Sequence, residues 1–192
     1  MRTAIIGSGK GTNCEAIIDA HSSGLLASCK IVGVFSDKQN SGILQIAKQA
    51  GVPHIHLGNY NLSNETDNDR WVSGIKKYRP DLIVLAGFMR ILSNQFIQAF
   101  DSRIINLHPS LLPSFRGLNA VAQAWNAGVK ITGCTVHWVS SELDCGKIIA
   151  QAPVRIMSSD TLESVMAKVQ AAEHMLLPSV VAEISQGFHP DA

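Results

Sequence analysis

The stretch that decides the fold is Ile104-Ile105-Asn106-Leu107-His108-Pro109-Ser110-Leu111-Leu112-Pro113. Side chains alternate between the two faces of a strand, so Asn106 and His108 share one face while Ile105 and Leu107 point into the packing. Pro109 has no backbone N–H to give to a sheet, so the strand should end at His108. Open α/β sheets bind their ligands at the carboxyl ends of the strands. A polar pair at such a strand end indicates a ligand-binding or catalytic site, and the alternative is that the two side chains only anchor the following loop.

Apolar runs typical of strands alternate with helical patterns along the whole chain. The seven predicted strands cover residues 3–6, 31–35, 52–57, 82–86, 104–108, 132–139 and 147–154. The predicted helices cover residues 14 to about 21, 43–47, 71–78, 93–100, 120–126 and 161 to about 180, and residues 59–69 form an exposed connection. This alternation predicts an α/β fold with a doubly wound, mostly parallel sheet, whose last two strands pair antiparallel across a short loop.

Composition limits the possible partners. A chain of 192 residues is most simply one domain. The net charge is +1 and only 16% of the residues are charged, so the basic field that holds nucleic acid is missing and no nucleic-acid partner is expected. The four cysteines show no C-x-x-C spacing, which fits a reducing, cytoplasmic setting. No apolar stretch approaches the ~20 residues that span a bilayer, so no membrane association is expected.

A glycine-rich loop follows the first predicted strand, with the sequence Gly7-Ser8-Gly9-Lys10-Gly11-Thr12-Asn13. Glycines allow a ligand to approach the backbone, and Thr12 and Asn13 can cap the helix that follows and leave its first N–H groups pointing outward. The dinucleotide fingerprint fails at Thr12, and a Walker A loop fails at Gly11. The loop therefore predicts a monophosphate site, with a nucleotide cofactor or a tight turn as alternatives.

Three further features have two interpretations each. The apolar loop after the fourth strand, with Arg90 in it, is either a core lid or the wall of a pocket for a flat aromatic ligand, in which Arg90 could meet a carboxylate. His54 and His56 stand two residues apart, and a solvated strand edge is favoured over a metal site because no cysteine or carboxylate cluster lies near them. His137 either supports the site or is a satisfied core histidine.

The polar pair suggests a reaction. Asn106 and His108 can donate hydrogen bonds to an oxygen that becomes negative, and a nearby carboxylate would keep the imidazole protonated. Asp144, in the loop before the last strand, is the best candidate. Such a trio suits acyl transfer to an amine, with His108 managing the proton that the attacking nitrogen loses. Since the sequence contains no G-x-S-x-G nucleophile motif, direct transfer is favoured over a covalent acyl-enzyme.

The sequence resembles the folate-dependent formyltransferases, and within them the branch that acts on glycinamide ribonucleotide. The matching motifs are Ser8-Gly9-Lys10-Gly11-Thr12-Asn13, Leu85-Ala86-Gly87-Phe88-Met89-Arg90-Ile91-Leu92, Asn106-Leu107-His108-Pro109-Ser110-Leu111-Leu112-Pro113, Leu143-Asp144-Cys145-Gly146 and Val169-Gln170-Ala171-Ala172-Glu173-His174. The resemblance implies a seven-stranded sheet with a Rossmann-like N-terminal half. It also implies a single formyltransferase domain over residues 1–192, in which residues 1–100 bind phosphate and residues 101–192 carry catalysis and folate binding.

The same resemblance implies roles for individual residues. The catalytic set would be Asn106, His108 and Asp144. The ribonucleotide would be held by Gly11, Thr12, Asn13, Gln170 and Glu173, with Glu173 facing its amine. The 10-formyltetrahydrofolate pocket would be formed by Met89, Arg90, Ile91, Leu92, Asn106, Ser140, Ser141, Glu142, Leu143 and Asp144. Two places depart from this branch: Asn64 stands where an arginine is usual, and Arg116-Gly117-Leu118-Asn119 stands where Pro-Gly-Leu-His is usual.

The implied reaction transfers the formyl group of 10-formyltetrahydrofolate, as co-substrate, to the amine of phosphoribosylglycinamide in purine biosynthesis. The implied enzyme works in the cytoplasm on small molecules, needs no metal, and is a monomer or a weak homodimer. The alternatives are a formyltetrahydrofolate hydrolase, a formyltransferase acting on another amine, and a non-catalytic folate- or nucleotide-binding module. A binding module has no need of a charged imidazole paired with a carboxylate, which favours an enzyme.

Overall fold

The computed structural model describes residues 1–61, 64–100 and 103–187. Seven strands form one sheet in the order β3-β2-β1-β4-β5-β6-β7. The strands are β1 (Arg2–Ile6), β2 (Lys30–Ser36), β3 (His54–His56), β4 (Leu82–Leu85), β5 (Ile104–His108), β6 (Ile131–Trp138) and β7 (Ile148–Arg155). The first five are parallel, whereas β6 is antiparallel to both β5 and β7. The predicted doubly wound, mostly parallel sheet is confirmed, and the antiparallel part also includes the β5–β6 pair.

Helices cover both faces of the sheet. They are α1 (Thr12–Ser22), α2 (Gly42–Gln49), α3 (Glu65–Lys76), α4 (Asn94–Ala99), α5 (Ala120–Asn126) and α6 (Leu162–Ser185). One apolar core lies between the sheet and α1, α2, α5 and α6, and a second lies between the sheet and α3 and α4. Ile105 and Leu107 pack into the first core and Ile104 into the second, as expected for a strand buried on both faces.

The predicted polar pair, Asn106 and His108, lies at the carboxyl end of β5, which is an interior strand of the sheet between β4 and β6. The strand ends at His108, immediately before Pro109, as the missing proline N–H predicts. Asn106 lies opposite His137 of β6 in the antiparallel register. The pairing with β6 therefore brings a histidine from a distant part of the chain next to the predicted amide.

Two helix starts differ from the sequence-based expectation. The capping role predicted for Thr12 and Asn13 is wrong: Gly11 is the N-cap residue of α1, with φ +90°, and no side chain caps this helix. The helix that was expected near residue 71 begins at Glu65, because the side chain of Asn64 accepts hydrogen bonds from the first backbone N–H groups of α3. Of the connection predicted at residues 59–69, residues 62 and 63 lie outside the described residues.

The four cysteines are free thiols, and Cys14, Cys29 and Cys134 are buried. Burial raises the pKa of the Cys14 and Cys134 thiols to about 12, so both stay protonated in ordinary conditions. Within the described ranges, none of the helices has the length and apolar character that crossing a membrane requires.

Candidate active site

A cavity of about 550 Å³ opens at the carboxyl ends of β4 and β5. Its walls come from the loop after β4, the end of β5, residues 117–119 and the loop between β6 and β7. All ten residues predicted to bind folate line it, namely Met89, Arg90, Ile91, Leu92, Asn106, Ser140, Ser141, Glu142, Leu143 and Asp144. The lining is mainly apolar and includes several polar side chains, which is typical of a small-molecule site.

His108 is buried at the floor of this cavity and has an acceptor at each ring nitrogen. Nδ1 lies 3.4 Å from Oδ2 of Asp144, and Nε2 lies 2.9 Å from the backbone carbonyl oxygen of Phe115. A carbonyl only accepts, so Nε2 carries a hydrogen. A second hydrogen on Nδ1 would make the ring an imidazolium that faces the Asp144 carboxylate.

Asp144 is held in place by the backbone. Its Oδ2 accepts a hydrogen bond from the Gly117 N–H at 2.9 Å. Its own φ is +52°, a left-handed conformation that aspartate tolerates better than most residues. The loop that contains Phe115 and Gly117 thus fixes both members of the His108–Asp144 pair.

Asn106 is bonded to His137 on the neighbouring strand. The Asn106 Nδ2 atom lies 3.2 Å from Nε2 of His137, and Nδ1 of His137 lies 2.9 Å from the Trp138 carbonyl oxygen. Burial lowers the pKa of His137; the Trp138 carbonyl and the Asp144 carboxylate oppose this shift, and His108 adds to it. His137 is therefore a buried residue that lines the cavity and contacts the Asn106 amide.

The loop after β4 is tied to the ends of two other strands. The Ser8 N–H donates to the Gly87 carbonyl, and the Ser8 hydroxyl accepts from the Met89 N–H. Arg90 donates from Nε to the fully buried Asp37 carboxylate at 2.9 Å. The side chain of Arg90, which the sequence suggested could meet a ligand carboxylate, is thus ion-paired with Asp37 and remains 44% exposed.

The residues predicted to hold the ribonucleotide form a second group between α1 and α6. Gln170 donates to the Thr12 hydroxyl and Asn13 donates to the Glu173 carboxylate, each at 3.0 Å. Burial raises the pKa of Glu173, and the Asn13 hydrogen bond partly offsets this shift. A side chain at Gly11 would collide with the backbone of Ile43, so only glycine fits there.

The remaining residues that the sequence singled out are the two histidines of β3, Asn64 and residues 116–119. His54 and His56 are exposed on the edge strand β3, and the residues that the structure describes include no group of three or more metal-ligating side chains. Asn64 caps α3. Of the two departing residues in the 116–119 segment, Asn119 lines the cavity and Arg116 is not among its lining residues.

Sequence reasoning missed Phe115, Gly117 and Asp37. Phe115 and Gly117 contribute hydrogen bonds from backbone atoms, which the residue type does not reveal. Asp37 is 53 residues away from its partner Arg90 in the sequence.

The site joins an amide, an imidazole with acceptors on both nitrogens, and a buried carboxylate at the end of an apolar cavity. Such a set can stabilise an oxyanion and move a proton beside it, as acyl transfer requires. The formyl transferase family model matches residues 1–181, so the chain belongs to the formyl transferase family.

Individual relatives agree with this assignment. Phosphoribosylglycinamide formyltransferase from Haemophilus influenzae is 40% identical over 187 residues, covering 97% of this chain and 88% of that protein. The structure of glycinamide ribonucleotide transformylase 1 from Symbiobacterium toebii superposes with a TM-score of 0.92 at 37% identity, over 97% of this chain and 88% of that chain. The trifunctional purine biosynthetic protein adenosine-3 from Gallus gallus is 39% identical over 188 residues, which cover 97% of this chain. The chain spans only 19% of the length of that trifunctional relative.

Proposed function

We propose that this chain transfers the formyl group of 10-formyltetrahydrofolate to the amine of phosphoribosylglycinamide, a step of purine biosynthesis. One observation carries the proposal: Asn106, His108 and Asp144 line the same cavity as every residue expected to bind the folate, and His108 faces Asp144 there. The relatives named for this activity, at about 40% identity over 97% of this chain, support the same substrate pair.

The reaction is a direct transfer. The amine nitrogen attacks the formyl carbon, and the carbonyl oxygen becomes negative as the C–N bond forms. An N–H of Asn106 and the imidazolium of His108 stabilise this oxygen, the formyl oxygen taking the place of the Phe115 carbonyl as acceptor. The bond from the formyl carbon to the folate nitrogen then breaks, and the proton lost by the attacking amine passes by way of His108 to that nitrogen. His108 gives its proton to the folate nitrogen and takes the proton of the amine, and the Asp144 carboxylate facing Nδ1 favours the charged imidazole before and after this exchange.

The acceptor is held by the second group of residues. The Gly11 backbone and the first N–H groups of α1 suit a phosphate, because a helix start presents unpaired donors and the positive end of the helix dipole. Glu173 is positioned to accept a hydrogen bond from the acceptor amine, with Gln170 beside it on α6. Phosphate binding thus falls to the part of the domain before about residue 100 and catalysis to the part after it, whereas the folate cavity takes residues 89–92 from the first part and residues 140–144 from the second.

The enzyme acts on small molecules in the cytoplasm, as a monomer or a weak homodimer, and its chemistry needs no metal. The loss of the formyl group from 10-formyltetrahydrofolate changes the absorbance of the folate, which gives a direct assay. Turnover that depends on glycinamide ribonucleotide is the expected result. Equal turnover without it would identify water as the acceptor and replace the proposal with the hydrolase. No turnover with either acceptor would refute it.

A further inference from the structure

His137 is held in one tautomer by its neighbours. The Trp138 carbonyl accepts a hydrogen bond from Nδ1, so the hydrogen of the neutral ring sits on Nδ1 and the lone pair sits on Nε2. The side chain is buried, with 2% of its surface exposed. The pairing of β6 with β7 is irregular between Val136 and His137, and irregularities of this kind turn side chains toward active sites.

The lone pair of His137 determines how the Asn106 amide is turned. Nε2 can accept only while the ring is neutral, and the atom that faces it at 3.2 Å is the NH₂ nitrogen of Asn106. An amide flip would place Oδ1 of Asn106 against this lone pair, which is repulsive. The neutral ring therefore fixes the direction in which Asn106 presents its remaining N–H and its oxygen to the cavity.

The same nitrogen lies near the catalytic carboxylate. Nε2 of His137 is 3.8 Å from Oδ1 of Asp144, while Nδ1 of His108 is 3.4 Å from Oδ2. A protonated His137 would compete with His108 for this single carboxylate and would repel the His108 charge. A neutral His137 leaves Asp144 to His108 alone.

We infer that His137 is a positioning residue, a neutral hydrogen-bond acceptor that orients the Asn106 amide and reserves Asp144 for His108, and that its protonation switches the site off. This inference rests on the proposed formyl transfer. The ionisable groups that act on His137 are Asp144, from the loop between β6 and β7, and His108, from β5. From the other side, β7 places the apolar Ile148 opposite it.

The test uses two substitutions of His137 and one control. In His137→Gln, the side-chain oxygen can replace Nε2 as acceptor and cannot be protonated; in His137→Leu, the acceptor is lost. The control is His56→Gln, which changes an exposed histidine of β3. At pH 7.5, we expect kcat within about threefold of the parent for His137→Gln and about tenfold lower for His137→Leu, with KM for the folate unchanged in both, because an orienting hydrogen bond contributes about one tenfold step.

The pH dependence separates positioning from a merely structural role. Burial holds the pKa of His137 below the usual value of about 6.5, so the parent should lose activity to His137 protonation only as the pH falls below that value. In the ratio of kcat for His137→Gln to kcat for the parent, the pH effects of all groups that titrate alike in the two proteins cancel. The ratio should be flat from pH 7 to 8 and rise as the pH falls below 6.5 and His137 takes up a proton, while the His56→Gln ratio stays flat. A flat His137→Gln ratio over the whole range, or a parent-like kcat in His137→Leu, would overturn the inference.

The tautomer can be measured without any reaction. In ¹⁵N spectra of the labelled parent protein at pH 7, His137 should show a protonated Nδ1 and an unprotonated Nε2. A hydrogen on Nε2, or a charged ring at that pH, would overturn the inference even in an active enzyme. If the protein failed to transfer formyl groups but showed the expected tautomer, the proposed function alone would be wrong.

Discussion

Replacing Asp144 by asparagine removes the charge that faces His108 and keeps the shape of the side chain. The carboxylate is buried and lies 3.4 Å from Nδ1 of His108. At an effective dielectric constant of about 20, two unit charges at this distance attract by about 5 kcal/mol. The asparagine oxygen can still accept from the Gly117 N–H, and its dipole retains part of the attraction, so we expect about half of this energy to be lost.

A loss of about 2.5 kcal/mol in the transition state lowers kcat about 10²-fold. The KM values for folate and ribonucleotide should change little, since the cavity walls stay in place. The assay is formyl transfer measured by folate absorbance, with Asp69→Asn, an exposed carboxylate on α3, as the matched control. A parent-like kcat for Asp144→Asn would refute the role of this carboxylate.

Two further substitutions test the second binding group and the loop after β4. Burial raises the pKa of Glu173, so above its ordinary value of about 4.3 the unfolded chain gives up this proton more readily than the folded protein, and the carboxyl group lowers stability as pH rises. Glu173→Gln should therefore raise the free energy of unfolding, measured by urea denaturation, by about 0.5–2 kcal/mol at pH 7.5 but not at pH 4. The KM for the ribonucleotide should rise at least tenfold, and a pH-independent change in stability would contradict this reasoning. Arg90→Met should lower the free energy of unfolding by about 1–3 kcal/mol because it leaves the buried Asp37 carboxylate without its partner. This loss is smaller than that for a fully buried ion pair because Arg90 is half exposed. Adding Asp37→Asn should recover part of the loss, and a double variant no more stable than Arg90→Met would show that the pair is not the cause.

Local rules were sufficient for the central strand. The alternation of β5 placed Asn106 and His108 on one face, and Pro109 set the strand's end, because both follow from the geometry of two or three consecutive residues. The capping rule failed at α1 for an equally local reason: Gly11 takes a left-handed conformation at the N-cap, which leaves the Asn13 and Thr12 side chains free to bond to α6.

Long-range pairing was beyond the reach of sequence patterns. Alternation along β6 gives the face on which His137 lies, but its contact with Asn106 depends on the antiparallel register between β5 and β6. The ion pair of Arg90 with Asp37 depends in the same way on two loops that meet at the sheet edge. Motif resemblance could suggest which residues serve the site, whereas the hydrogen bonds that orient them required the assembled fold.

The central claim is that His108 carries the chemistry at the end of β5, and His108→Ala tests it most directly. The measurement is the single-turnover rate of formyl transfer in the ternary complex, made together with the dissociation constants of folate and ribonucleotide for the same variant. We expect both ligands to bind within about threefold of the parent and the rate to fall at least 10²-fold, as loss of a general acid–base and oxyanion donor implies. A folded His108→Ala variant that binds both ligands and transfers the formyl group at the parent rate would contradict the account.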